Sequence, residues 1–175
     1  MSRFLFLIFW YNLSYEKLEQ YRRQTRKEIQ SKLQITSNVI IRTRIFITMF
    51  KKLFLIFITG FLLNFIWENL HSYLYFHPNG EMMTQGMLLK ATLFDSIFIT
   101  LLAILFIKAA YFRDRKWYVL PIGIIVAILI ELSALKTGRW AYNEFMPIIP
   151  LINIGLTPTI QLGILSYLIF KWQIK

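Results

Sequence analysis

Residues 49–74 read MFKKLFLIFITGFLLNFIWENLHSYL: two lysines, then an apolar run that carries only Thr59, Gly60 and Asn64 before Glu68 is reached. That run matches the ~20 residues an α-helix needs to cross the hydrocarbon core of a bilayer. Outward from it, further apolar stretches follow at 87–110, 118–135 and 151–170. With 53–74 as the first span, the sequence predicts an all-α polytopic membrane protein, a four-helix transmembrane bundle. The connections 75–86 and 136–150 hold His77, Pro78, Asn79, Gly80, Gly138, Pro147 and Pro150, breaker residues that fold spans one and two, then three and four, into hairpins. Trp67, Tyr73, Tyr75, Tyr111, Trp117, Trp140, Tyr142 and Trp172 gather near the span ends, where amphipathic rings favour the interface.

Composition agrees. Of 175 residues, 57% are hydrophobic and 17% charged, whereas an ordinary soluble domain is about one quarter charged. The chain has no cysteine, which removes disulfides, thiolate metal sites and cysteine nucleophiles together. The formal net charge of +11 has two competing causes, a nucleic-acid partner or membrane topology. Before Met49 lie nine basic and three acidic residues, and after it eleven basic and six acidic. Residues 1–48 are thus read as a basic N-terminal extension, upstream of a membrane domain at 49–175 that begins on a methionine, two lysines and an apolar run. Within the extension, RFLFLIFWY at 3–11 is too short to span, and Ser14 is placed to cap a solvated basic helix over anionic headgroups. No nucleic-acid partner is expected, since no binding motif accompanies the charge.

Basic residues also set the direction. Arg42, Arg44, Lys51 and Lys52 precede span one, Lys108, Arg113, Arg115 and Lys116 join spans two and three, and Lys171 and Lys175 follow span four. By the positive-inside rule those flanks and both termini are cytoplasmic, in a plasma (inner) membrane. The opposite connections hold only Lys136 and Arg139, with Lys90 just inside span two.

Ionisable groups inside a bilayer are costly, so each is a functional candidate until a partner explains it. There are three: Glu68, Asp95 and Glu131. At ~1.5 Å per residue, Glu68 lies about 22 Å along an outward span, Asp95 about 12 Å from the outer side and Glu131 about 20 Å from the inner side, so all three fall in the outer half. Asn64, Glu68 and His71 share one helix face by their spacing, and Gln161 is the main polar group near the middle of span four. Gly123, Ala127, Glu131 and Ala134 share a face of span three, as do Gly155, Thr159, Gly163 and Ser166 of span four, the small residues permitting close helix contact. The inferred object is a polar pocket opening outward.

Two readings of that pocket follow. In one, Glu68 and Glu131 act as general acid and base with Asp95 in support, while Asn64, His71, Arg139, Trp140, Tyr142 and Gln161 contact a lipid-like or isoprenoid substrate. In the other, the acids pair with Lys90, Lys136 and Arg139 and only hold helices together, as in a non-catalytic accessory or assembly subunit. Glu68-x-x-His71 has the spacing of a carboxylate-bridged metal half-site, but it occurs once and the only other histidine is His77, so no metal or cofactor is expected. G-x-S-x-G, H-E-x-x-H, a Walker loop and an aspartate-rich diphosphate motif are all missing from the sequence. Besides the lipid bilayer, a homo-oligomer or a further membrane partner stays open.

The pattern Asn64-x-x-Trp67-Glu68, Asp95, Glu131, Gly138-Arg139-Trp140-Ala141-Tyr142, Met146-Pro147 resembles a family of small uncharacterised bacterial membrane proteins of about four spans. The resemblance covers residues 60–170 and implies a membrane location. A fainter likeness is to the carotenoid lycopene cyclase membrane subunits, in which a G-x-W-x-Y/F segment precedes a P-x-E-E helix. The corresponding Pro158-Thr159-Ile160-Gln161 lacks both acids.

Overall fold

The computed structural model describes residues 2–76 and 81–174 and is 81% helical, the remainder being loops and four two-residue strands. Along the chain come α1 (Ser2–His71), a 3-10 turn (Ser72–Leu74), β1 (Tyr75–Phe76), α2 (Gln85–Lys108), α3 (Ala110–Arg113), a second 3-10 turn (Lys116–Tyr118) and α4 (Val119–Lys136). β2 (Ala141–Tyr142), β3 (Ile148–Ile149), β4 (Ile154–Gly155) and α5 (Leu156–Gln173) complete it. The predicted breakers His77 to Gly80 lie outside the described residues.

The chain divides into two compact units, Met1–Met49 and Phe50–Lys175. The first is helical from Ser2 onward, so Ser14 lies inside α1 rather than at the start of a helix. From residue 17 to 49 its side chains are exposed almost throughout. The hydroxyls of Thr25, Thr36, Thr43 and Thr48 donate to carbonyls four residues back. Arg22 and Glu19 form an exposed ion pair at 3.3 Å, of a kind worth at most about 1 kcal/mol.

The second unit holds the rest of α1, from Phe50, and all later elements. Three helical stretches, Lys17–Leu74, Gln85–Lys108 and Lys116–Lys136, are long and apolar enough to cross a membrane. Only 33% and 28% of the apolar windows of the latter two are buried within the molecule, so their outer faces are suited to lipid. Helix α5, the expected fourth span, is not among the three. It carries Thr157, Thr159, Gln161, Ser166 and Gln173. Nine of its residues are buried, so shielding by neighbouring elements replaces an apolar surface.

Its start also differs from expectation. The predicted span began at 151, but Asn153 in the left-handed region (φ 53°) turns the chain into the β3–β4 hairpin, and α5 begins at Leu156. Pro158 then sits in the first helical turn, where its missing N–H costs no intrahelical bond.

At one end of the unit an apolar core joins Ile56, Ile99, Phe106, Val119, Ile169 and Phe170, with Phe106 and Phe170 edge-to-face at 5.2 Å. Helices α4 and α5 pack most intimately, because Gly123 faces Gly163. A Cβ on Gly123 would stand 2.6 Å from the Gly163 Cα, and one on Gly163 would stand 2.6 Å from the Leu120 carbonyl oxygen. The buried face of α4 is Val119, Gly123, Ala127, Glu131 and Ala134, the small-residue stripe read from the sequence with Val119 added. Helix α2 packs against α3 and α5.

The other end is tied by backbone pairing. β1 and β2 run antiparallel with Tyr75 opposite Tyr142 and Phe76 opposite Ala141. Asn143 adds its backbone N–H to the Leu74 carbonyl at 3.0 Å and its side-chain amide to the Tyr73 carbonyl at 2.5 Å.

Candidate functional site

The site is built at the tied end from four helices and the segment after α4. On α1, the buried Asn64 donates its amide to the Gly60 carbonyl at 2.8 Å, which turns its Oδ1 toward α5. There Gln161 Nε2 lies 3.1 Å from Asn64 Oδ1, 2.8 Å from Glu68 Oε1 and 3.4 Å from Asp95 Oδ2. An amide nitrogen has two hydrogens, so one of its three bonds is shared. Glu68 of α1 and Asp95 of α2 are thereby held within two hydrogen-bond lengths of each other by one side chain of α5.

Glu131 of α4 is held differently. Gly138 ends α4 in the left-handed conformation (φ 63°), with the Arg139 N–H bonded to the Ala134 carbonyl at 2.9 Å and the Gly138 N–H to the Leu135 carbonyl at 3.2 Å. This Schellman closure reverses the chain. Trp140 and Tyr142 come back along the helix, and the Trp140 indole N–H (3.3 Å) and the Tyr142 hydroxyl both donate to Glu131 Oε2. The G-R-W-A-Y segment is therefore a clasp on Glu131. Tyr75 packs on both rings of the clasp, at 6.2 Å from Trp140 and 5.6 Å from Tyr142.

Burial foremost, then donation to Glu131, holds the Tyr142 phenol above the usual tyrosine range. Burial, then the facing carboxyls of Glu131 and Glu68, does the same for Tyr75. The Tyr142 phenol therefore remains the donor to Glu131 well beyond neutral pH.

Glu68, Asp95, Glu131 and Gln161 line one cavity of ≈ 730 Å³, within the range of small-ligand sites. Val126, Ala127 and Leu162 supply apolar wall, and Phe94 of α2 and Leu129 of α4 line it while remaining 57% and 61% exposed. Through Phe94 and Leu129 the cavity reaches the exposed faces of α2 and α4. Lys90 and Arg139 line the cavity as well. The ion pairs expected between the acids and Lys90, Lys136 or Arg139 are not formed: among the described residues the acids take neutral donors instead, Gln161, Trp140 and Tyr142.

Of the residues expected to contact a substrate, Arg139, Trp140 and Gln161 line the cavity, and Asn64 and Tyr142 stand behind it, bonded to residues that do. His71 is turned elsewhere. It is buried between Trp67 and Tyr75, with Nδ1 2.5 Å from the Trp67 carbonyl, which as an acceptor assigns the proton to Nδ1. Among the described residues no group of three or more His, Asp or Glu side chains is disposed to hold a metal. Tyr75 and the apolar lining residues Met83, Met87 and Phe94 were not anticipated. Only the pairing of β1 with β2 brings Tyr75 inward, and a two-residue strand carries no periodicity to announce it.

No family model, curated protein or solved structure matches this chain.

Proposed function

We propose that this is a four-span protein of the plasma (inner) membrane, with both termini cytoplasmic and α5 as the shielded fourth span. In this reading it binds and transforms a lipid-like or isoprenoid amphiphile. One observation carries it: carboxyl groups from three helices line a single cavity whose walls are otherwise largely apolar and which reaches the exposed apolar faces of α2 and α4 at Phe94 and Leu129. An amphiphile enters sideways between Phe94 and Leu129, and its polar part meets the carboxyls. Glu68 and Glu131 serve as general acid and base, Asp95 supports Glu68 through the shared Gln161 amide, and Arg139 holds the headgroup. The clasp meets Glu131 at Oε2 only, which leaves Oε1 for the ligand.

The test compares the lipid profile of cells expressing the wild type, Glu68→Gln and Ala91→Trp, the last placing an indole on the cavity wall. An amphiphile is expected to change in amount with the wild type, and with neither variant at equal folded yield. A profile that the wild type does not alter would overturn the enzymatic reading.

The hydrogen bonds between elements favour a second reading, in which the same groups only hold the helices of an assembly subunit together. Glu68→Gln would then lower folded yield and leave no lipid change to lose.

A further inference from the structure

Three carboxyls face the cavity, yet two cations share its lining and meet none of them. Lys90 and Arg139 are exposed and, among the described residues, neither forms a hydrogen bond or an ion pair through its side chain. Arg139 has an ordinary reason for its place, since a cation beyond the C-terminus of α4 meets the negative end of the helix dipole. Lys90 has none. It lies in the second turn of α2, nearer the positive end of that helix, and no acid stands in the first turn to balance it. Its nearest neighbours in sequence are mostly apolar, Leu88, Leu89, Ala91 and Leu93, with Thr92 buried among them. What sets Lys90 apart is its place: it lines the cavity together with Arg139, and the two unpaired cations make that rim a place for an anion.

The two cations also share a level. Lys90 precedes Asp95 by about 7.5 Å along α2, and Arg139 follows Glu131 beyond the end of α4. Both therefore sit on the rim, outside the carboxyls, with the apolar residues Ala127 and Leu162 further in.

Resting on the amphiphile reading above, we propose that the ligand carries a phosphate headgroup, which Lys90 and Arg139 bind at the rim while its apolar chain runs past the carboxyls and out between Phe94 and Leu129. The phosphate is then the anchor, and the carboxyls address the atoms of the chain next to it. The source is a membrane lipid, because the same cavity offers the chain an apolar wall that a free phosphate would leave empty.

The test uses a matched pair, 1-oleoyl lysophosphatidic acid and 1-oleoylglycerol, which share the acyl chain and differ in the phosphate. Binding to the purified full-length chain in neutral detergent is followed by thermal stabilisation and by native mass spectrometry. The phospholipid is expected to bind at least tenfold more tightly than the glyceride. The double variant Lys90→Gln/Arg139→Gln should bring the phospholipid down to the affinity of the glyceride, with circular dichroism and the unfolding midpoint of the lipid-free protein reporting an intact fold. Equal affinity of the pair for wild type, or an unchanged preference in the double variant, overturns the proposal and leaves the amphiphile reading standing. If neither lipid binds, the amphiphile reading itself falls. Stabilisation by inorganic phosphate alone equal to that of the phospholipid overturns the lipid source.

Discussion

Adding one methyl group at each of four glycines should separate packing from backbone conformation in this bundle. Gly123→Ala would place a Cβ 2.6 Å from the Gly163 Cα, 2.7 Å from its nitrogen and 3.0 Å from the Leu162 carbonyl carbon. All three are backbone atoms, so no side chain can swing aside. Non-bonded carbon atoms settle at about 3.5–4.0 Å, so α4 and α5 must part by about 1 Å. Gly163→Ala meets the Leu120 carbonyl oxygen at 2.6 Å and Ile124 Cγ1 at 3.0 Å, with the same consequence. Helices in lipid associate largely through close packing, with no hydrophobic drive between them. A cost at or above the usual ~1–3 kcal/mol of overpacking is therefore expected for either variant. Gly86→Ala meets only Thr84 Oγ1 at 3.9 Å, in the first turn of α2. It should be neutral or stabilising by up to about 1 kcal/mol through helix propensity. At Gly138 nothing lies within 4 Å, but φ is +63°, so Ala should cost about 1 kcal/mol from conformation alone. Reversible unfolding in mixed micelles, titrated with a denaturing detergent, gives the four values on one scale. If Gly123→Ala and Gly163→Ala fall within about 0.5 kcal/mol of wild type, the intimate α4–α5 contact is wrong, and with it the route by which Glu131 is brought to the cavity.

Three further outcomes follow from the polar end. Gln161→Leu leaves the oxygens of Asn64, Glu68 and Asp95 without their common donor and should cost about 1–3 kcal/mol, with Asn64→Leu/Glu68→Leu/Gln161→Leu recovering part of it; equal loss in the single and triple variants would contradict the bridge. A double-mutant cycle on Glu131→Gln and Tyr142→Phe should return a coupling of about 0.5–2 kcal/mol, and zero coupling would detach the clasp from the carboxyl. The fold raises the Tyr142 phenol above its ordinary value of 10.0, so its stabilising contribution is complete below that pH and declines as pH rises beyond it. The alkaline loss of stability should accordingly be shallower in Tyr142→Phe than in wild type, by unfolding measured across that range.

The helices were legible because their evidence is local. Apolar runs of bilayer length set α2 and α4 to within two residues of the predicted spans at each end. The small residues at Gly123, Ala127, Gly163 and Ser166 announced buried helix faces through spacing alone, whereas Gly155, read with them, belongs to β4. The convergence of Glu68, Asp95 and Glu131 on one cavity also followed from counting residues along helices. Who partners them did not. The acids pair with Gln161, Trp140 and Tyr142, separated in sequence by up to 93 residues or joined only after Gly138 reverses the chain. Charge arithmetic favours Lys90 and Arg139 as partners, but arithmetic ignores that a neutral donor costs less to bury than a second ion. The start of α5 was misread for a related reason: Pro150, Asn153 and Gly155 make a hairpin whose inward residue Ile154 is as apolar as a span.

What keeps the cavity from collapsing is the division of labour around α5. The glycine contact draws α4 against it on one side, and Ile99 and Leu102 of α2 join the core with Leu162 and Ile169 on another, so each helix is held in place by α5. The space between them is then lined by whatever α2 and α4 turn toward α5, which is where Asp95 and Glu131 stand. Neither acid is left to choose its orientation: Gln161 reaches Asp95 from α5, and the segment beyond Gly138 clasps Glu131 from above. A group that must meet a ligand in a fixed position is best held by neighbours that are themselves fixed. Here they are, since Tyr142 belongs to the β1–β2 pair and Asn143 ties that pair to the carbonyls of Tyr73 and Leu74. Cutting that tie should loosen Glu131 before it loosens the bundle, because the apolar core around Phe106 and Phe170 lies at the opposite end and shares no side chain with the clasp.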